Sequence, residues 1–214
     1  MKTCCRLRTT PFEQKRVIYE TPNFFICSSL GCMGIEGYVL LVTKKHYEGM
    51  GRIPAGLHDE LEELIQLTRA RLVETYGRKP IIFEHGPKVG ESGWGGGTSI
   101  DHAHMHFVPG VNITDAFAKS LIDRLTETGQ FYKVDRTRGL KRAVEVLEEG
   151  KTSYVMLEPE PEKRFLAEVN FPGESQWLRK LVARAVGTPK WNWRIHPYTE
   201  KAVRTAEVLR EKFS

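Results

Sequence analysis

Three histidines alternate with apolar residues near the middle of the chain, within residues 99–108. In a β-strand, successive side chains point to opposite faces of the sheet, so this alternation predicts a strand with one polar and one apolar face. The histidines expected on the polar face are His102, His104 and His106. The residues expected to point into a core are Ala103, Met105 and Phe107. Such a strand requires a sheet that is packed on one side and presents imidazoles on the other.

Three imidazoles on one face have three known uses in proteins. They ligate a metal such as zinc, with Cys27, Cys32 or His85 as further candidate ligands. They act as nucleophile and as acid or base in phosphoryl chemistry. They also form a structural polar stripe, which is the least expected use because adjacent imidazoles stabilise a sheet poorly.

A glycine-rich segment precedes the histidines and favours the phosphoryl chemistry. Six glycines occur from Gly86 to Gly97, and Thr98 and Ser99 follow directly. The backbone N–H groups of such a segment can cradle phosphate oxygens. The segment is not a Walker A loop, because no Gly-Lys-Ser/Thr sequence closes it.

The composition is that of a globular domain with its own core. The chain has 214 residues, of which 40% are hydrophobic and 28% are charged. A chain of this length buries a core without disulfide or metal staples. No apolar stretch approaches the roughly 18 residues that a membrane helix needs, and the four cysteines lack CxxC spacing. We therefore expect reduced thiols, no membrane contact and a cytoplasmic location.

Positive charge concentrates in the C-terminal part of the chain. The formal net charge is +5 at pH 7, and residues 177–214 carry nine Lys or Arg against three Asp or Glu. Such a segment suits a phosphorylated ligand or a nucleic acid, although a solvated helix face has the same composition. Candidate contacts to a phosphate, a sugar or a base are Gln176, Arg179, Arg194, Trp191 and Trp193. Packing against the sheet is the more common role for each of them.

Short apolar runs predict strands, and longer runs with helical spacing predict helices. Strands are expected at residues 12–19, 23–28, 37–43, 80–84 and 100–108, with a hairpin at residues 152–158 and 164–170. Helices are expected at residues 57–76, 114–128, 135–149, 174–185 and 199–212, and Gly77 is expected to end the first. A boundary near residue 112 separates residues 1–112 from residues 113–214. The second part is a helix-rich extension with two strands that packs on the first.

The histidine strand also carries a family resemblance. Residues 102–108 fit the three-histidine pattern of the histidine triad (HIT) superfamily of nucleotide hydrolases and transferases. Residues 38–46 resemble the strand and Lys-x-His turn that precede the first long helix in that family, and residues 21–29 resemble the strand beside its base pocket. The resemblance covers residues 12–110. It implies an α+β fold with a five-stranded antiparallel sheet and helices, which pairs into a homodimer through continuous sheets.

The resemblance implies a set of catalytic residues. The middle histidine, His104, is the expected nucleophile that attacks the α-phosphorus of a nucleotide and forms a nucleotidyl-imidazole intermediate. An imidazole with an ordinary pKa near ~6.5 is unprotonated at neutral pH and can attack. The backbone carbonyl of His102 orients that ring, the side chains of His102 and His106 steady phosphoryl oxygens, and Ser99 contacts the leaving group.

The resemblance also implies a set of substrate-binding residues. Amides near Gly97 and Thr98 correspond to the phosphate-contacting loop of the family. Tyr38 stands where the family usually has a histidine, and Ser28 or Ser29 stands where an acidic residue usually contacts the ribose. The expected substrate-binding set is Gly97, Thr98, Tyr38, Ser28, Glu84, which replaces an asparagine, and its neighbour His85.

The sequence thus predicts a nucleotide hydrolase or nucleotidyltransferase that uses no metal or other cofactor. Its substrate is a nucleotide or nucleotide conjugate, and its basic C-terminus is a candidate nucleic-acid contact. A histidine at the third triad position, His106, favours the hydrolases over the uridylyltransferase branch. Two alternatives remain open: a zinc protein that uses the three histidines, and a nucleotide- or RNA-binding module with little turnover.

Overall fold

The computed structural model describes residues 10–87, 102–110, 131–137, 153–159, 164–169 and 176–214. Within these residues, eight strands form one antiparallel sheet in the order β1-β2-β3-β5-β4-β7-β8-β6. The strands are β1 (Val17–Glu20), β2 (Phe24–Ser28), β3 (Val39–Thr43), β4 (Pro80–Gly86), β5 (His104–Pro109), β6 (Phe131–Thr137), β7 (Ser153–Glu158) and β8 (Arg164–Val169). The predicted antiparallel α+β class is confirmed.

Four α-helices lie in the described part of the chain: α1 (Pro11–Arg16), α2 (His58–Tyr76), α3 (Trp177–Ala185) and α4 (Thr199–Phe213). α2 ends as the sequence predicts, because Gly77 adopts a left-handed conformation (φ 64°) and its N–H donates to the carbonyl of Val73 at 2.8 Å. None of the described helices combines the length and apolarity needed to cross a bilayer.

The sheet has two differently packed faces. One face carries the apolar residues that alternate with the histidines, and α2 and α4 pack against it. Met105 is fully buried on this face, beside Leu61 and Ile65 of α2, which confirms the predicted alternation. The other face carries the histidines, and α3 packs on it through Val182 and Ala183.

The C-terminal part extends the same sheet. β7 pairs with β4, with Glu158 opposite Ile82 at one end and Tyr154 opposite Gly86 at the other. β8 then pairs with β7, and β6 pairs with β8. Strands β1 to β5 are contiguous and form the five-stranded unit that the resemblance implies. The extension therefore adds three strands beside β4, where the sequence predicts two.

Two predicted elements differ from the structure. β6 occupies the first three residues of the helix predicted at residues 135–149, because they pair with residues 164–166 of β8. The rest of that helix, and the helix predicted at residues 114–128, lie outside the described residues. α1 replaces most of the strand predicted at residues 12–19, because Thr10 and Glu13 form a reciprocal capping box at its start.

A buried network of charges joins α2 to β7 and β8. Glu158 accepts a hydrogen bond from Nε of Arg164 at 2.9 Å and another from Arg69 of α2. Arg164 also donates to Glu62 of α2 at 2.7 Å. Because Glu158 and Arg164 are only 2% and 5% exposed, each charge depends on its partners for compensation.

Candidate active site

The histidines meet on one face at the centre of the sheet. His104 and His106 lie on β5, with ring centroids 4.7 Å apart. His102 lies just before that strand, with Ala103 between it and His104. β4 places His85 on the same face, two residues beyond its Phe83–His106 pair. The three triad residues therefore form one cluster, to which β4 adds a fourth imidazole.

Backbone carbonyls decide which nitrogen of His102 and His104 carries a proton. Nδ1 of His104 lies 2.6 Å from the carbonyl oxygen of His102, and Nε2 of His102 lies 2.6 Å from that of Thr43. A carbonyl oxygen only accepts hydrogen bonds, so each of these nitrogens donates an N–H. The neutral ring of His104 is left with an unprotonated Nε2, and His104 is partly exposed while His102 and His106 are buried.

Burial keeps the three rings neutral. It lowers the pKa of His104 to about 4, although the hydrogen bond to the His102 carbonyl acts in the opposite direction. Burial also lowers the pKa of His102, and it lowers the pKa of His106 well below the ordinary value. The positive charge of Arg179 acts in the same direction on His104 and His106. At neutral pH the cluster therefore presents uncharged imidazoles.

Aromatic neighbours fix the ring of His106. Its Nδ1 lies 2.8 Å from the hydroxyl of Tyr38, and its ring stacks on Phe83 with centroids 4.4 Å apart and planes inclined by 13°. Tyr38 is 1% exposed. The structure therefore places Tyr38 in the cluster as a buried neighbour of His106.

α3 contributes Arg179 to the same face. Its guanidinium lies 5.3 Å from the centroid of the Tyr38 ring and donates to the carbonyls of Leu30, at 3.2 Å, and Gly31. Gly31 has a φ of 62°, and a Cβ added there would collide with Trp193. The extension is thus packed closely against the site and supplies one of its charges.

Glu84 does not join the histidines. It alternates with His85 along β4 and therefore points to the opposite face of the sheet. Its carboxyl group accepts hydrogen bonds from the N–H of Met50 at 2.5 Å and from the hydroxyl of Tyr154 at 2.7 Å. Burial raises its pKa to about 7. The structure gives Glu84 these two partners, on the face away from the predicted substrate.

Ser28 also lies on that second face. It pairs with Val39, whose side chain belongs to the core beside α2. The Ser28 side chain is fully buried, and its carbonyl accepts two hydrogen bonds from the guanidinium of Arg16 at 2.7 and 3.0 Å. The structure therefore offers Ser28 no route to a ligand on the histidine face.

Of the residues predicted to bind substrate, His85 lies with Tyr38 on the histidine face, close to His104. Its Nε2 is buried and has no hydrogen-bond partner within the described part of the chain. Burial lowers its pKa to about 4, and the neighbouring His104 acts in the same direction. The other predicted contacts, Gly97, Thr98 and Ser99, lie outside the described residues.

The described residues include no group of three or more His, Cys, Asp or Glu side chains placed to hold a metal ion. Cys27 and Cys32, the further ligands of the zinc alternative, are buried free thiols. Burial raises the pKa of both thiols, which disfavours the thiolate form that binds metals. The zinc alternative therefore gains no support from this part of the chain.

Similar proteins are found among solved structures, but not among protein-family models or curated protein sequences. No family model matches the chain, and no curated protein sequence matches it. A hypothetical histidine triad nucleotide-binding protein from Sulfolobus tokodaii is 20% identical over 50% of this chain and 67% of its own, with a TM-score of 0.39. The likeness is to histidine triad proteins.

Two further histidine triad structures give similar values. A HIT family hydrolase from Clostridium thermocellum is 18% identical over 53% of this chain and 96% of its own, with a TM-score of 0.38. A HIT family member from Bacillus subtilis is 15% identical over 58% of this chain and 94% of its own, with a TM-score of 0.39. Both of these structures carry the HIT family name.

Proposed function

We propose that this chain is a nucleotide hydrolase or nucleotidyltransferase that acts on the α-phosphate of a nucleotide conjugate through a covalent intermediate on His104. The hydrogen bond from Nδ1 of His104 to the carbonyl of His102 carries this proposal. It leaves an unprotonated Nε2 on a partly exposed, neutral ring, which is the form an imidazole nucleophile requires.

The reaction proceeds in two displacements at phosphorus. The lone pair of His104 Nε2 forms a bond to the α-phosphorus, and the bond to the leaving group breaks with its electron pair on the leaving atom, which takes up a proton. A water molecule or an acceptor hydroxyl then attacks the same phosphorus, gives up its proton and breaks the P–N bond. Water yields hydrolysis, and any other acceptor yields nucleotidyl transfer.

The His102 carbonyl supports the first displacement. As the P–N bond forms, the His104 ring gains positive charge, and its Nδ1–H becomes a stronger donor to that carbonyl. The rings of His102 and His106 steady the phosphoryl oxygens in this proposal. By the family resemblance, Gly97 and Thr98 hold the phosphates and Ser99 contacts the leaving group.

The decisive test compares His104→Ala with His102→Ala. Removal of the nucleophile is expected to lower turnover by a factor on the order of 10⁴ or more. His102→Ala keeps the backbone carbonyl that orients His104, so a loss on the order of 10²-fold is expected. Rapid quenching with labelled substrate should trap a phosphoramidate adduct on the wild type and none on His104→Ala.

The substrates for this test are nucleoside phosphoramidates, dinucleoside polyphosphates and nucleotide sugars, with products identified by mass. His58→Ala is the matched control, because His58 begins α2 on the other face of the sheet. Its turnover should equal that of the wild type. Equal losses from His102→Ala, His104→Ala and His106→Ala, with no adduct on the wild type, would show that the histidines act as ligands instead. Metal analysis and the response to EDTA would then test zinc directly.

The basic C-terminus favours nucleic-acid contact as a second candidate function. Residues 177–214, all within the described part, carry nine Lys or Arg against three Asp or Glu. Binding of a single-stranded RNA oligonucleotide should then weaken steeply as salt rises. It should also survive in His104→Ala, which separates binding from turnover.

A further inference from the structure

Tyr38 is the one described side chain that shares a hydrogen bond with the ring of His106. Its hydroxyl lies 2.8 Å from Nδ1, and the two rings meet edge-on with centroids 5.8 Å apart. Both residues are almost completely buried, at 1% and 8% exposed. This contact therefore bears on which nitrogen of the neutral His106 ring carries the proton.

The tyrosine hydroxyl can act as the donor in this hydrogen bond. Burial raises the pKa of Tyr38 to about 12, so its hydroxyl keeps its proton. Burial lowers the pKa of His106 well below the ordinary value, so its ring is neutral and carries one proton. The other polar neighbour of the Tyr38 hydroxyl is Ser29, which donates its own proton to the carbonyl of Leu30 at 3.0 Å and accepts from Arg179. With the phenolic proton directed at Nδ1, the single ring proton of His106 resides on Nε2.

Arg179 holds Tyr38 in place from the extension. Its guanidinium lies over the face of the Tyr38 ring, 5.3 Å from the centroid, and cannot accept the phenolic proton. It also donates to the carbonyls of Leu30 and Gly31, in the loop before β3. At 6% exposed it is anchored by these contacts, and it fixes the plane of the tyrosine ring.

We propose that Tyr38, held by Arg179, is a positioning residue that fixes His106 in the tautomer with its proton on Nε2. This inference rests on the proposed function, in which His106 contacts phosphoryl oxygens. With Nε2 protonated, His106 offers those oxygens a hydrogen-bond donor; the other tautomer would turn a lone pair towards them. Tyr38 thus acts through His106 and does not itself contact the substrate.

The first experiment measures the tautomer without any substrate. Long-range ¹H–¹⁵N NMR correlations of the full-length protein report which nitrogen of His106 is protonated. We expect a pure Nε2–H form in the wild type and a mixture of both forms in Tyr38→Phe, which removes only the hydroxyl. A wild-type ring protonated on Nδ1, or a tautomer unchanged in Tyr38→Phe, would overturn the proposal.

The second experiment separates positioning from packing. Tyr38→Phe should lower kcat on the order of 10-fold to 100-fold and leave KM within about twofold, because the ring and its packing remain. Tyr19→Phe is the matched control: Tyr19 packs on Phe213 on the other face of the sheet, so its kcat should not change. Equal kcat in the wild type and Tyr38→Phe would contradict the positioning role.

A third variant tests the contribution of the extension. Arg179→Lys keeps the positive charge but loses the forked guanidinium, so His106 should show a partial tautomer mixture and an intermediate kcat. A wild-type tautomer and kcat in Arg179→Lys would remove Arg179 from the proposal. If His104→Ala kept full turnover while the wild-type tautomer stayed Nε2–H, the proposed function would fail and the positioning of His106 would stand.

Discussion

Nε2 of His104, the nucleophile in the proposed function, is subject to two opposing effects of burial. The lowered pKa, about 4, keeps Nε2 free of a proton at neutral pH. A less basic nitrogen is also intrinsically less nucleophilic. The hydrogen bond from Nδ1 to the His102 carbonyl offsets this loss, because it strengthens as the ring becomes positive during attack.

This balance predicts an unusually acidic lower limit for activity. Protonation of Nε2 removes the nucleophile, and since the pKa of His104 is lowered, the loss comes as pH falls towards about 4 instead of 6.5. With a dinucleoside polyphosphate, kcat/KM should stay level from roughly pH 8 to about pH 5. Far-UV circular dichroism at each pH separates this loss from acid unfolding. A fall in kcat/KM centred near the ordinary histidine pKa of about 6.5 would contradict the prediction.

The histidine cluster could be predicted from the sequence because the two-residue period of a strand fixes which side chains share a face. The same period explains why Glu84 and Ser28, which the sequence predicts to bind substrate, lie on the face away from the histidines. A family comparison by position tolerates a shift of one residue, whereas in a sheet that shift moves a side chain to the other face. The contact between Arg179 and Tyr38 joins residues far apart in the chain, and no local pattern predicts it.

At the scale of elements, the extension is held by charge as well as by strand pairing. Glu158 of β7 compensates Arg164 of β8 and Arg69 of α2, so one carboxylate serves two buried cations. Such a network contributes little net stability when complete, but removal of Glu158 leaves Arg69 without its carboxylate partner and Arg164 with Glu62 alone.

Glu158→Gln is therefore expected to destabilise the protein by about 3 kcal/mol or more, measured by urea unfolding. Glu74→Gln is the matched control on α2. Glu74 contacts Arg71 at 2.9 Å and Lys212 at 3.2 Å at the surface, where ion pairs contribute little. Equal unfolding midpoints for the two variants would show that the buried network is not a stabilising element.

Element types were predictable where a run was long and periodic, as in α2, or alternating, as in β5. Element types were not predictable where a contact with residues outside the run determines whether it forms a helix or a strand. α1 depends on a capping box that overrides the β-branched and aromatic residues behind it. The first three residues of the helix predicted at residues 135–149 become strand because β8 supplies a hydrogen-bonding edge there.

At the scale of the whole molecule, the edges of the sheet bear on assembly. The resemblance implies a homodimer through continuous sheets, which requires a free edge strand. In the described part β4 is internal, paired with β5 and β7, and the edges are β1 and β6. β1 has four residues and an irregular register, and its Glu20 pairs with Lys44 at 2.8 Å. β6 contains Lys133, Asp135 and Arg136 in its sequence.

Short, irregular and charged edges resist pairing with another chain. We therefore expect a monomer at micromolar concentration, measured by size-exclusion chromatography with light scattering. Glu20→Val, which removes a charge from the β1 edge, should increase self-association, and the surface variant Glu74→Gln should not. A wild-type mass of two chains would contradict this expectation.

The attachment of Arg179 to the same chain as His106 has a consequence for how the site responds to dilution. A site completed by a second subunit comes apart by mass action as the protein is diluted below its dissociation constant. Here the completing residue is tethered, and its effective concentration does not depend on how many molecules the solution contains. The contact between Arg179 and Tyr38 should therefore persist unchanged from micromolar to picomolar protein.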